Sequence, residues 1–242
     1  MIKTGIYRTA LLLLAFFLFT MAVINVDVQA IGPKGSQVGF ADINGAVHNA
    51  FPYSELFYKL TTYLGYLSLL VVLGYGALGV LQLIKRRSLK KVDSQLLALG
   101  VFFVLMLICY VAFEKLPVNY RPVILDEGLE ASYPSSHTML ALCVFGAMMV
   151  PYPQLIPQDK LSYVRVAAGV LMVISVVGRL LSGVHWLTDI VGAMLLSAAL
   201  LSFYCMLLQL GRLRRKDPAP QYEEGNWDDS TDDGFGDLFR NE

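Results

Sequence analysis

A chain of 242 residues that is 56% hydrophobic and only 16% charged, with a mean hydropathy of +0.56, has the profile of an integral membrane protein and not of a soluble globular enzyme. Its 19 basic and 19 acidic residues cancel, but unevenly. Nine acids and Arg240 as the one base lie from Asp217 onward, leaving a body of 18 bases against 10 acids.

The first apolar run, residues 9–26, follows Lys3 and Arg8 and is long enough for a transmembrane anchor. Val28-Gln29-Ala30 resembles a cleavage site, so a signal peptide is the competing reading of segment 1–30. Phe40, Ile43, Val47 and Phe51 then recur at helical spacing in a polar stretch, which predicts a short amphipathic helix on the membrane surface. The second span ends near Ile84 in KRRSLKK, five bases in seven residues, and the positive-inside rule makes that loop cytoplasmic. The third span, 95–113, returns the chain to the outer side. The fourth, 137–150, is short for a bilayer and is followed by Pro151 and Pro153. The fifth and sixth, 161–181 and 186–210, are separated by the turn signal Ser182-Gly183, and Arg212, Arg214, Arg215 and Lys216 follow. Cys109, Cys143 and Cys205 fall in apolar runs and read as buried hydrophobes without disulfide or metal spacing.

The expected fold is all-α, an integral membrane bundle of six transmembrane helices with the amphipathic surface helix between the first two. It divides into an N-terminal anchor (1–30), a membrane-embedded domain (31–216) and an acidic tail (217–242) too poor in core-forming residues to fold. Both termini fall inside. The alternation sends segment 114–136 and Ser182-Gly183 to the outer face.

Arg179, His185 and Asp189, in GRLLSGVHWLTD, lie between two apolar runs, where an unpaired charge costs roughly a few kcal/mol and marks a functional site by default. His185 and Asp189 are four apart, so on a helix the carboxylate stacks on the imidazole and accepts a proton from one ring nitrogen, leaving the other free. A turn at Ser182-Gly183 lets Arg179, ending one helix, face His185, starting the next. On the same side Pro122 favours an extended backbone at Arg121. Pro134-Ser135-Ser136 before an apolar run is a helix start, with serines able to cap and free amides able to bind an anion. Lys115, Arg121 and Arg179 beside that helix start make a phosphate site facing His137 and His185. Two histidines and an aspartate also permit a zinc site, which the neighbouring cations oppose, and a His–Asp pair also permits a purely structural contact between helices. Trp186 and Tyr133 read as interfacial aromatics, and His48 as a surface residue without a role.

As a set, Lys115, Arg121-Pro122, Pro134-Ser135-Ser136-His137 and Arg179 with His185 and Asp189 resemble the three signature motifs of the type 2 phosphatidic acid phosphatases, the superfamily shared with vanadium-dependent haloperoxidases. Within it the chain is similar to a bacterial membrane branch of undecaprenyl-diphosphatases and phosphatidylglycerophosphatases. The resemblance spans residues 40–210. It departs at Glu114, where a lysine is usual and Lys115 stands one step late, at Ser136, where glycine is usual, and at Gly178, where serine is common.

The resemblance implies a hydrolase of lipid phosphates. His185 would attack phosphorus to give a phosphohistidine, Asp189 would fix its tautomer, and His137 would protonate the leaving oxygen and then activate water. Lys115, Arg121 and Arg179, with the amides around Ser135 and Ser136, would hold the phosphoryl oxygens, and neither metal nor cofactor is required. The implied partners are a lipid phosphate substrate and membrane lipids, with no nucleic acid. Undecaprenyl diphosphate is the implied substrate, ahead of phosphatidylglycerophosphate or phosphatidate. The implied location is the cell membrane, multi-pass, with the site on the extracytoplasmic side. A lipid phosphotransferase and a non-catalytic lipid-phosphate binder or carrier are the competing functions.

Overall fold

A computed structural model describes residues 2–125, 128–153 and 155–215. The acidic tail expected to be disordered, 217–242, lies outside the described residues, and so do the side chains of the basic cluster at 212–216.

The described residues form α1 (Ile2–Asn25), α2 (Ala41–Ala50), α3 (Glu55–Arg86), α4 (Ser94–Lys115), α5 (Ser136–Met148), α6 (Leu161–Leu181) and α7 (Leu187–Arg215), with no strand among them. Five of these, α1, α3, α4, α6 and α7, are long and apolar enough to cross a membrane, and α5 is a shorter apolar helix. Of the six expected spans, five are thus long enough, and the fourth, already short in the sequence, is a helix of 13 residues, about 20 Å long against a ~30 Å hydrocarbon core. Its brevity has a packing counterpart. Residues 141–147 of α5 are buried without a break, against α3, α6 and α7, and a helix that is apolar all round and enclosed by protein needs no lipid-facing stripe.

The longer helices do present such a stripe. Leu70 and Leu73 on α3, Leu107 on α4, and Val166 and Val173 on α6 each expose more than half of their surface, an apolar coat that a bilayer solvates and water does not. This is a multi-pass membrane protein.

Helix α7 is the axis of the bundle, packed along α1, α4 and α5. Phe16 and Val23 of α1, Leu99 and Phe102 of α4, Cys143 of α5 and Ala193 and Leu196 of α7 meet in one core. Within it Ser202 accepts from Arg8 Nε and pairs with the Thr9 hydroxyl, both at 2.9 Å, polar contacts of the kind that fasten helices together in lipid. The loops gather at two ends. At one, the Ser54 amide donates to Ser182 O and the Ser135 amide to Asp189 O, both at 3.0 Å. At the other, Asp93 pairs with Arg86 at 2.8 Å and accepts from Gln82 and Tyr152, which ties the KRRSLKK loop to the α5–α6 connection.

Helix α2 lies between the first two spans, with Ile43 50% exposed on its outer side and Ala41 and Asn44 buried on its inner side. Hydrogen bonding selects the inward face, because Asn44 Nδ2 donates to Gly39 O at 2.7 Å and to Thr188 Oγ1 at 2.9 Å. Trp186 and Tyr133, expected at the membrane interface, are buried. Each has an internal partner: Trp186 Nε1 donates to Tyr120 O and the Tyr133 hydroxyl pairs with Thr20 Oγ1, both at 2.7 Å, so neither polar end needs a headgroup.

Candidate active site

The turn after α6 runs through Gly183 at φ +64°. A β-carbon there would come within 2.6 Å of the Pro52 carbonyl carbon, so glycine serves both the left-handed turn and the close approach of the strand of chain before α3. Helix α7 starts only at Leu187, which leaves His185 in the connecting loop and not one helical turn from Asp189, as the spacing predicts. The cause is Asp189 itself. Its amide donates to Trp186 O at 3.1 Å and its Oδ2 accepts from the Trp186 amide at 2.9 Å, so a first-turn carboxylate reaches back and fixes where the helix begins. His185 Nδ1 lies 3.5 Å from the same Oδ2. Both ring nitrogens of His185 are buried and neither makes a hydrogen bond of full geometry, while the Ser132 backbone lies close enough to act on the ring.

Asp189 is fully buried, and its Oδ1 accepts from Asn119 Nδ2 at 3.2 Å. Next to it the Thr188 amide donates to Asn44 Oδ1 at 3.2 Å. Asn44 and Asn119 thus brace the first turn of α7. Sequence reasoning misses both, although Asn119, two residues before Arg121, sits inside a motif. His48, which the sequence leaves without a role, packs its ring edge-on against Trp186 at 5.5 Å.

At the start of α5, the Ser135 hydroxyl pairs with Thr138 Oγ1 at 3.0 Å and its amide is taken by Asp189 O. Ser135 therefore neither caps the helix with its hydroxyl nor offers its amide to an anion, because α5 docks on α7 through it. The first intrahelical bond is Met139 N to Ser135 O, so the amides of Ser136, His137 and Thr138 are the ones that a helix start leaves to a ligand.

Arg179 is 0% exposed. Its Nη1 donates to Thr61 Oγ1 at 2.9 Å, its Nη2 to His137 Nδ1 at 3.0 Å, and its Cζ stands 5.4 Å from the centre of the Tyr58 ring. Its Nε is buried without a partner. None of these neighbours is an anion. A buried guanidinium without a counter-charge costs roughly several kcal/mol, and a bound phosphate or carboxylate offsets that cost best.

Arg121 Nε lies 3.1 Å from Glu130 Oε2, in a loop closed by the Tyr120–Ala131 bridge. Arg179 meets His137 at 3.0 Å and His185 meets Asp189 at 3.5 Å, and Arg121 stands near enough for its charge to bear on the His185 imidazole. Glu130 was not among the residues the motifs single out. Burial first, then the charges of Arg179 and Arg121, hold the His185 imidazole well below its ordinary value of 6.5, which leaves the ring neutral. Lys115 is exposed at the end of α4 and makes no hydrogen bond or ion pair with this group among the described residues.

A cavity of about 510 Å³ opens between α3, α4 and α5. Leu69 and Val72 line it from α3, Phe103 and Leu107 from α4, and Ser136 and His137 stand at its polar end.

Residues 113–212, which contain Lys115, Arg121, Ser135, Ser136, His137, Arg179, His185 and Asp189, match the family model described as the PAP2 superfamily. That segment, and not the whole chain, is similar to the PAP2 superfamily. Asn44, Tyr58 and Thr61 lie outside the matched PAP2 segment yet complete its site from α2 and α3. The fold is similar to the crystal structure of the first transmembrane PAP2 type phosphatidylglycerolphosphate phosphatase from Bacillus subtilis, with a TM-score of 0.58 at 18% identity, over 89% of this chain and 99% of that one. No curated protein matches the sequence.

Proposed function

We propose that this chain is a lipid-phosphate phosphatase acting through a phosphohistidine on His185. The observation that carries the reading is the cleft. Its walls are apolar, two of them, Leu69 and Leu107, are 49% and 57% exposed on the lipid-facing side, and its polar end is His137. A substrate that keeps its tail in such a cleft delivers its phosphate to Arg121 and Arg179, whereas a soluble ester has no use for it.

In this reading the neutral Nε2 of His185 attacks phosphorus. The bond to the lipid oxygen breaks, and that oxygen takes a proton from His137. Asp189 Oδ2 faces the positive ring that results, and the 3.5 Å contact shortens as the charge develops. Water then gives a proton to His137 while its oxygen attacks phosphorus, which breaks the P–N bond and frees phosphate. Arg121, Arg179 and the amides of Ser136 and His137 neutralise the phosphoryl oxygens throughout. Lys115 joins them only by a swing of its flexible stem, and no metal enters the scheme.

The site faces the extracytoplasmic side of the cell membrane in this proposal, because the five-base loop KRRSLKK lies at the opposite end of the bundle. Undecaprenyl diphosphate is the first substrate to test, and phosphatidylglycerophosphate, after the activity in the name of the Bacillus subtilis structure, the second. Purified protein in EDTA should release phosphate from at least one of them. Leu69→Trp and Leu107→Trp, which fill the cleft, should raise KM for the long-tailed lipid and spare a short-chain ester. Phosphate appearing on an acceptor alcohol instead of in solution would make the chain a phosphotransferase, and binding without turnover would make it a carrier. A cysteine at Gly128, in a chain lacking the native cysteines, should react with an impermeant thiol reagent on intact cells, and one at Ser88 should not. The reverse pattern would invert the topology.

A further inference from the structure

Arg179 is a fully buried charge of the site, and what aims it comes from α3. The Thr61 hydroxyl lies within hydrogen-bond distance of two carbonyls of its own helix, Phe57 O at 2.8 Å and Tyr58 O at 3.1 Å, and of Arg179 Nη1 at 2.9 Å. A hydroxyl has one proton to give and two lone pairs to offer. With its proton directed to the helix carbonyls, Thr61 Oγ1 turns a fixed acceptor toward Arg179. The methyl of the same residue is equally placed. A β-carbon on Gly178 would stand 2.8 Å from Thr61 Cγ2, closer than carbon atoms tolerate, so α3 and α6 approach here only because position 178 has no side chain.

We propose that Thr61 is a positioning residue for Arg179, and that Thr61 and Gly178 form a matched pair through which α3 sets the orientation of the guanidinium. The proposal rests on Arg179 holding the phosphoryl group. Thr61 holds one N–H of Nη1, His137 holds one of Nη2 and the Tyr58 ring lies against Cζ, which leaves Nε–H, buried and unpartnered, and the second N–H of each terminal nitrogen for an anion. Loss of the Thr61 acceptor leaves the guanidinium free to rotate about its stem, and a donor that must meet charge in the transition state then has to be re-aimed in every turnover.

Four variants test the pair. Thr61→Val keeps the shape and removes the acceptor, so kcat/KM should fall by roughly tenfold to a hundredfold, as expected for a hydrogen bond to a charged group, with more of the loss in kcat than in KM. Thr61→Ser keeps the acceptor and should stay near wild type. Gly178→Ala drives a methyl against Cγ2 and should lose activity, and Thr61→Ser/Gly178→Ala, which removes that methyl, should recover most of it. Rates are compared on protein eluting as one monodisperse peak in detergent. A second measurement does not need turnover: the affinity for orthovanadate, read from protection against thermal unfolding, should weaken in Thr61→Val and hold in Thr61→Ser. Thr61→Val equal to wild type in both measurements, or a double variant no better than Gly178→Ala, overturns the proposal. Wild-type protein that binds vanadate but releases phosphate from no lipid overturns the phosphatase reading alone, and the vanadate affinities of the variants then decide the role of Thr61. Wild-type protein that does neither overturns both.

Discussion

Arg179 Nη2 lies 3.0 Å from His137 Nδ1, and because a guanidinium only donates, that ring nitrogen is the acceptor and carries no proton. Two residues that would both serve the phosphate therefore hold each other. His137 cannot take a proton on Nδ1 until Arg179 turns that N–H elsewhere, and a phosphoryl oxygen is the acceptor best suited to draw it away. In the proposed mechanism this one hydrogen bond would couple arrival of the substrate to readiness of the acid.

The pH dependence follows from His185. Its imidazole is held well below 6.5, first by burial and then by Arg179 and Arg121. In the proposed mechanism the attacking form is the neutral ring, and a depressed value keeps the ring neutral as pH falls. The acid limb of kcat/KM for the free enzyme should therefore lie below 6.5, not at it, once ionisation of the substrate is allowed for. An acid limb at or above the ordinary imidazole value would exclude His185, in this environment, as the group that sets it.

In the proposed site Glu130 and a phosphoryl oxygen would compete for the Arg121 guanidinium. The Arg121–Glu130 pair, at 3.1 Å with Glu130 31% exposed, is partly screened and worth on the order of 1 kcal/mol or less. Glu130→Gln should lower KM by about two- to fivefold with little change in kcat. A higher KM would show that Glu130 holds Arg121 in place for the substrate instead of competing with it.

Tyr133 lies just before the start of α5, and its hydroxyl meets Thr20 Oγ1 of α1 at 2.7 Å. Thr20 Oγ1 also donates to Phe16 O at 2.9 Å, so its proton is spoken for and Tyr133 is the donor. The two single substitutions are then unequal. Thr20→Val strands a buried phenol and should cost about 1–3 kcal/mol, Tyr133→Phe leaves Thr20 satisfied and should cost less, and Thr20→Val made in the Tyr133→Phe background should be nearly silent. Thermal unfolding of the four proteins in detergent gives the cycle, and additive costs would contradict it.

Arg179, His185 and Asp189 of the candidate site stand out in the sequence because charge beside apolar runs is conspicuous, whereas Glu130 does not, and α6 occupies 161–181 as its pattern predicts. What orients those residues is less legible. Thr61 reaches Arg179 across 118 residues and Asn44 reaches Thr188 across 144, and a lone threonine or asparagine in a helix carries no spacing signal for a partner so distant. His185 is placed wrongly by periodicity alone, because a helix pattern does not show that Asp189 caps its own first turn. Tyr133 and Trp186 look like interfacial aromatics until their internal acceptors are known, since composition does not distinguish a phenol at a headgroup from one that has found Thr20. The short α5 is the converse case: its length is readable, but its enclosure by α3, α6 and α7 is a property of the packing.

The assignment of His185 as the attacking group is tested most directly by trapping the intermediate. Protein incubated with a lipid phosphate labelled at phosphorus and quenched should carry acid-labile label. His137→Ala, which slows both proton transfers by about 10²–10⁴-fold, should still carry it, and His185→Ala should carry none with any substrate. Label retained in His185→Ala and lost in His137→Ala would contradict the assignment, and its absence from every protein that still releases phosphate would point to direct attack by water.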